Sequence, residues 1–96
     1  MTNQEGTIKK EYRSRPHICP VCEQYTFYDW YSYDDCPNCG SEDGFSAEEL
    51  IDPSALLSPN WVTLKEGKWI WRHFHCDVNT YAIAHKKQKA DPLPME

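Results

Sequence analysis

The chain has 96 residues, of which 40% are hydrophobic and 26% are charged, and its formal net charge is -5. A chain of this size buries a modest core and often needs a metal ion or disulfides to fold stably. The mean hydropathy of -0.78 and the lack of long apolar runs exclude a membrane-spanning helix, which needs about 20 apolar residues. The N-terminal residues 1–7 lack the apolar core of a secretory signal, so we expect the cytoplasm, where thiols stay reduced.

The charges are unevenly distributed along the chain. Residues 23–52 contain nine acidic residues and no Lys or Arg, whereas the segments on either side each carry a small basic excess. An acidic surface of this kind repels phosphate and attracts a basic patch on a partner protein. A solvated acidic face without any partner is the alternative interpretation.

We divide the chain into a flexible N-terminal arm (residues 1–16), one zinc-ribbon-containing domain (17–89) and a C-terminal tail (90–96). Within the domain, residues 25–33 predict a strand because six of the nine are aromatic and aromatic residues favour strands. Ser46 and Glu49 have the spacing of a capping box, which predicts a short helix that starts at Ser46. Asp52 ends this helix, since a residue that precedes proline is disfavoured in the helical region.

A hairpin is predicted next, with strands at 61–65 and 68–76 around a two-residue turn at Glu66-Gly67. Alternation would then place four side chains on one face: Trp69, Trp71, His73 and His75. Residues 77–88 fit either a helix or a strand, and we favour the helix.

Four cysteines form the strongest motif in the chain, with the spacing Cys-x2-Cys-x13-Cys-x2-Cys. The four are Cys19, Cys22, Cys36 and Cys39. Two such turns supply the complete tetrahedral shell of a zinc ion, which leaves no open position for water. The spacing therefore predicts one structural Zn²⁺, with a pair of disulfides as the alternative.

The segments Cys19-Pro20-Val21-Cys22 and Tyr33-Asp34-Asp35-Cys36-Pro37-Asn38-Cys39-Gly40 resemble the small bacterial cysteine-rich CPCC proteins. Thr26-Phe27 stands where that family has a Thr-Leu-like pair. The chain departs from the family pattern at Val21, where a third cysteine is frequent, and at Glu23, where glycine is usual. The resemblance covers residues 18–44 and implies a metal-binding knuckle without an activity.

The same spacing is similar to that of the rubredoxin-like domains, in which two CxxCG turns hold one iron ion for electron transfer. Gly40 matches the glycine of the second turn, whereas Glu23 replaces the glycine of the first. Iron is therefore the less favoured occupant. The predicted fold is a small, metal-stabilised, β-rich α+β domain, a zinc-ribbon or rubredoxin-like pair of knuckles with the C-terminal hairpin and one or two short helices.

Three further residues could carry chemistry: Cys76 with its neighbours His73 and His75. On a strand, Cys76 would point away from both histidines, so a second metal site or a Cys–His nucleophile lacks support. We expect Cys76 to be a small buried hydrophobic side chain. We also find no paired carboxylates, phosphate-binding glycine loop or Ser-His-Asp arrangement, and we predict that the chain is not an enzyme.

The leading functional prediction is an adaptor or inhibitor that docks on a larger protein, because aromatic side chains beside charged ones are typical of interfaces. The predicted contact residues are Tyr28, Trp30, Tyr31, Asp34, Asp35, Trp69 and Trp71. A rubredoxin-like electron carrier is the second hypothesis. The third is a nucleic-acid-binding ribbon that uses Lys65, Lys68 and Arg72, which the acidic block disfavours.

Overall fold

The computed structural model describes residues 16–28 and 34–95, and within them the chain is a small α+β fold. A hairpin whose two strands are each two residues long comes first, and three short helices follow it. The elements are β1 (His17–Ile18), β2 (Thr26–Phe27), α1 (Ala47–Ile51), α2 (Leu64–Phe74) and α3 (Val78–His85). The predicted arm lies outside the described residues, apart from Pro16.

The sheet is smaller than the predicted one. β1 and β2 pair antiparallel, with His17 opposite Phe27 and Ile18 opposite Thr26. Of the described residues 25–28, Thr26–Phe27 form a strand, and residues 29–33, with Trp30 and Tyr31, lie outside the described part of the chain. The aromatic run therefore predicts a strand where one begins, and β2 ends before Tyr28.

The first helix is confirmed. Ser46 caps α1 through a reciprocal capping box with Glu49, and Asp52 follows the last helical residue. The Glu49 side chain is fully buried, and its second oxygen accepts hydrogen bonds from the backbone N–H groups of Leu57 and Ser58, at 3.0 and 3.1 Å. One carboxylate thus caps the helix and also holds the loop that follows it.

The predicted hairpin at 61–65 and 68–76 is wrong, because Leu64–Phe74 within this region form the single helix α2. Thr63 and Glu66 make a second capping box, so Glu66 belongs to the first turn of a helix and not to a β-turn. Gly67 lies within α2, where a Cβ atom would stand 3.3 Å from both Val21 and Val62. This close packing against two valines explains why α2 contains glycine, a residue that usually disfavours helices.

The helix also changes the neighbours of the four ring-bearing side chains that were predicted to share a strand face. Residues four apart meet on a helix. Trp69 accordingly lies against His73, and Trp71 against His75, with ring centroids 4.7 and 5.0 Å apart.

The helix that we favoured for residues 77–88 is confirmed as α3 over Val78–His85. Asp77 caps it, and its side chain accepts a hydrogen bond from the Thr80 N–H at 2.9 Å. Val78 and Ala82 are fully buried and join Ile70 of α2 in the core. None of the helices in the described ranges is long and apolar enough to cross a membrane.

A buried ion pair links the first turn of α2 to Lys86, the residue that follows α3. Lys86 Nζ lies 2.8 Å from Glu66 Oε1, and the Lys86 side chain is inaccessible to solvent. The second Glu66 oxygen accepts the Leu93 N–H at 2.8 Å. Part of the predicted C-terminal tail is therefore docked, and the Leu93 side chain is buried in the core.

Candidate metal centre

The first cysteine turn is closed by two backbone hydrogen bonds. The Glu23 N–H donates to the Cys19 carbonyl at 2.9 Å, and the Cys19 N–H donates to the Tyr25 carbonyl at 2.7 Å. Glu23 adopts a φ of 59°, in the left-handed region that glycine favours. The turn therefore has the backbone shape of a glycine-bearing knuckle although its sequence lacks the glycine.

The second turn repeats this arrangement. The Gly40 N–H donates to the Cys36 carbonyl at 2.8 Å, and the Cys36 N–H donates to the Ser41 carbonyl at 2.8 Å. Gly40 has a φ of 74°. Here glycine is also needed for space, because a Cβ atom on Gly40 would overlap the Asp77 carboxylate that caps α3.

The two turns bring the four predicted sulfur atoms together. All four lie within 4.8 Å of one another, and the pairs Cys19–Cys39 and Cys22–Cys36 are each separated by 3.6 Å. A tetrahedral ion with Zn–S bonds of about 2.3 Å would space its sulfur ligands about 3.8 Å apart. A disulfide needs about 2.05 Å, and all four cysteines are free. The cluster is thus able to bind one metal ion.

The sulfur cluster is shielded from water. The four cysteine side chains are between 0% and 7% exposed. The buried Ser41 hydroxyl oxygen lies 3.1 Å from Cys39 Sγ and 3.3 Å from Cys19 Sγ, so it can donate a hydrogen bond to a thiolate. A hydroxyl in this position supports negative charge on sulfur, which metal binding requires.

The thiols of the cluster differ in how easily they lose a proton. The hydrogen bond from Cys39, aided by Ser41 and opposed by burial, lowers the pKa of Cys19 to about 4. Burial raises the pKa of Cys36 to about 11. The hydrogen bond to Cys19, together with burial, raises the pKa of Cys39 well above its usual range. The Cys19–Cys39 hydrogen bond therefore favours one thiolate within this pair, whereas burial holds the proton on Cys36.

Helix α3 and a pair of asparagines hold the second turn in place. The Val78 N–H donates to the Cys39 carbonyl at 2.8 Å, and Asn79 Nδ2 donates to the Gly40 carbonyl at 3.0 Å. Asn79 Nδ2 also donates to Asn60 Oδ1 at 2.8 Å. The cysteine motif did not identify these asparagines, because no spacing rule links them to it.

The second turn is also tied to the hairpin. The His17 ring, which precedes the first turn on β1, places Nε2 2.8 Å from Asp43 Oδ1. Asn60 reaches the same segment, since its side chain accepts the Glu42 N–H at 2.7 Å and donates to the Glu42 carbonyl at 2.9 Å. The end of the segment that follows Cys39 is thus anchored to two other parts of the fold.

The described members of the predicted partner-binding set lie on different parts of the fold. Tyr28 is 69% exposed, and Asp34 and Asp35 are exposed where the chain enters the second turn. Trp69 and Trp71 are half-buried on α2 and pack against the core. Trp30 and Tyr31 lie outside the described residues.

Cys76 lies outside the sulfur cluster. It is half-buried and packs against the core, and only the four clustered cysteines form a candidate metal site in the part of the chain that the structure describes. The His73 ring nitrogen Nδ1 lies 2.9 Å from the Trp69 carbonyl within α2. His75 ends the helix in the left-handed conformation, with a φ of 50°.

Comparison of this chain with protein-family models, with curated proteins and with solved structures finds no match. The resemblance to the CPCC proteins therefore stays a prediction based on the two cysteine turns.

Proposed function

We propose that this protein is a non-enzymatic interaction module with a zinc-ribbon-like fold, organised by one structural Zn²⁺, that docks on a larger protein in the cytoplasm as an adaptor or inhibitor. The observation that carries the proposal is the buried cluster of four cysteine sulfurs. Four protein ligands complete a tetrahedral shell, so the metal would support the fold and would not activate water or a substrate. The function of the protein would then depend on contacts made by its surface.

Zinc is favoured over iron by the first turn. In the rubredoxin-like pattern glycine follows the second cysteine, and here the side chain in that position is the carboxylate-bearing Glu23. A negative charge beside the centre disfavours the reduced and more negative state of an iron site. Zinc has no redox chemistry, so this charge does not affect its role.

The proposed contact surface lies on the approach to the second turn. Asp34 and Asp35 present two exposed carboxylates there, and exposed Tyr28 follows β2. Carboxylates of this kind steer association with a basic partner, and an exposed tyrosine is a frequent interface anchor. Trp69 and Trp71 contribute less than the sequence predicts, because both pack against the core.

The proposal predicts one zinc ion per chain and a stoichiometric protein partner that binds through these carboxylates. The full chain, tagged and purified at low salt from cells that express it, is analysed for metal content, visible absorbance and co-purifying protein. The Asp34→Asn/Asp35→Asn variant should lose most of the partner. The matched control, Glu48→Gln/Asp52→Asn, removes two exposed acidic charges at α1 and should retain it.

Three results would contradict the proposal. A red protein with iron in place of zinc would indicate an electron carrier. Purification without any stoichiometric partner would remove the adaptor role. Equal loss of the partner in the variant and in its control would show that overall charge, and not this surface, governs binding.

A further inference from the structure

A basic cleft runs beside helix α2 and encloses about 730 Å³. Three of the side chains that line it are the cations Lys65, Lys68 and Arg72, whose spacing of three and four residues places them along one side of the helix. Pro53 and Met95 supply apolar surface. Of the described residues that line this cleft, none is acidic.

Two of the three cations have no carboxylate partner among the described residues. Lys68 Nζ lies 3.7 Å from Glu23 Oε2, in an exposed pair. Within residues 16–28 and 34–95, no carboxylate lies within 4.0 Å of the Lys65 ammonium or of the Arg72 guanidinium. The neighbouring Glu66 is already occupied by Lys86. Within the described part of an otherwise acidic chain, positive charge is thus concentrated in one concave site.

Trp69 also lines the cleft, but its ring is already packed. The His73 ring lies against it with centroids 4.7 Å apart, and Phe74 and Tyr81 approach edge-on at 5.6 and 6.4 Å. The buried Trp69 Nε1–H has no hydrogen-bond acceptor among the described residues. The Trp69 indole therefore lines the cleft but does not offer a free ring face for a ligand to stack on.

We propose that this cleft binds a short acidic peptide segment of a partner protein. Carboxylates of the segment would pair with Lys65 and Arg72, and an adjacent apolar side chain would contact Pro53 and Met95. The proposal rests on the proposed role as an interaction module and adds a second contact site, with the opposite charge to the Asp34–Asp35 surface.

A peptide fits this site better than a nucleic acid. A long polyanion would extend beyond the three cations, and the chain as a whole is acidic, with nine acidic residues in 23–52. Single-stranded nucleic acids also use exposed aromatic rings for stacking. The packing of His73 against Trp69 leaves less of that ring for a base. The few carboxylates of a short acidic segment would all lie beside the three cations of the cleft.

The test is a titration of the full, metal-loaded chain with the capped pentapeptide EELEE, followed by NMR at low salt. The uncharged peptide QQLQQ is the matched ligand control. We expect EELEE to bind, to shift the Trp69 indole resonance and to weaken as salt is added, because exposed charge interactions are screened. We expect no binding of QQLQQ.

Single-charge variants locate the binding site. Lys65→Gln or Arg72→Gln should each weaken EELEE binding up to about fivefold, the range measured for one exposed ion pair. Lys87→Gln, which removes one exposed charge outside the cleft, is the matched protein control and should have no effect. Glu23→Gln should strengthen binding, since it releases Lys68 from its ion pair.

Equal binding of both peptides, or equal loss in Lys65→Gln and Lys87→Gln, would overturn the proposal. Tighter binding of a ten-nucleotide oligothymidine, with the same dependence on Lys65, would overturn it in favour of nucleic acid. Metal content is measured on every variant, so that loss of the fold is recognised. The Asp34→Asn/Asp35→Asn variant should still bind EELEE, so failure of partner capture and failure of this inference are separate outcomes.

Discussion

Glu23 and Gly40 occupy equivalent positions after the second cysteine of each turn, and both have positive φ values of 59° and 74°. The two positions tolerate side chains differently. Glu23 is exposed and its side chain reaches Lys68, whereas Gly40 faces the carboxylate of Asp77. The two turns therefore share a backbone conformation. Only the second turn requires glycine for space, because the Asp77 side chain at the start of α3 lies against it.

Gly40→Ala should destabilise the metal-loaded protein by about 2–3 kcal/mol. The left-handed conformation costs an alanine about 1–2 kcal/mol. Displacing the Asp77 carboxylate from its capping position adds about 1 kcal/mol. Chemical denaturation measures the change in the free energy of unfolding.

The double-mutant control is Asp77→Ala, which removes the carboxylate that the new Cβ atom would meet. In that background Gly40→Ala should cost only the backbone contribution of about 1–2 kcal/mol. An identical cost in both backgrounds would show that the close approach to Asp77 is unimportant.

Two of the three helices begin with a capping box whose glutamate does more than cap. Glu49 of α1 also holds the backbone at Leu57 and Ser58, and Glu66 of α2 also binds Lys86 and the Leu93 N–H. Glu49 uses one oxygen for the helix and the other for the later segment. Glu66 Oε1 accepts from both the Thr63 N–H and Lys86, and its Oε2 accepts the Leu93 N–H. At the start of α1 and of α2, the glutamate of the capping box therefore binds its helix to a segment that comes later in the chain.

Glu66→Gln should lower the free energy of unfolding at pH 7 by about 3–5 kcal/mol, because it leaves the buried Lys86 ammonium without a counter-charge. Burial opposes ionisation of Glu66, but hydrogen bonds from Lys86 and from the Thr63 and Leu93 backbone hold its pKa below the usual range. The carboxylate is therefore ionised at neutral pH and its charge is lost in the variant. Urea denaturation measures the difference.

The double variant Glu66→Gln/Lys86→Met removes both charges and should be more stable than Glu66→Gln alone. Lys87→Met, at the exposed neighbouring position, is the matched control and should change stability by less than about 0.5 kcal/mol. A double variant no more stable than Glu66→Gln would contradict the assignment of the cost to an uncompensated buried charge.

At the scale of the whole molecule, the sulfur cluster is the point where the separate parts of the chain meet. The hairpin supplies Cys19 and Cys22, the segment before α1 supplies Cys36 and Cys39, and α3 binds the second turn through Val78. Gly67 brings α2 against Val21, which lies within the first turn. An ion at this place would therefore stabilise nearly all of the described fold at once.

Metal binding should become tighter as pH rises. The raised pKa values of Cys36 and Cys39 mean that both thiols carry protons at pH 7 in the metal-free protein, and an ion must displace them. Each displaced proton makes the affinity rise about tenfold per pH unit, so the protons of Cys36 and Cys39 alone give a rise of at least about 100-fold between pH 7 and 8.

Competition with a chromophoric zinc chelator at both pH values measures the affinity, and a pH indicator in weak buffer measures the released protons. Cys76→Ser, which changes a cysteine outside the cluster, should leave the slope unchanged. An affinity that is independent of pH would contradict the assignment of protons to Cys36 and Cys39.

The sequence alone identified the four cysteines and the capped helix α1 and favoured a helix over residues 77–88, because the signal for each lies in a short stretch of the chain. Each CxxC spacing supplies one metal-binding turn, and a capping box acts within a single turn of helix. The helix over residues 64–74 was seen only in the structure, although Thr63 and Glu66 have the same capping-box spacing as Ser46 and Glu49. Alternating aromatic residues around Glu66-Gly67 mimic a hairpin locally, and the packing of Gly67 on Val21 and Val62 favours the helix. The roles of Ser41, Asn60 and Asn79 were likewise set by distant contacts, which no local pattern in the sequence reveals.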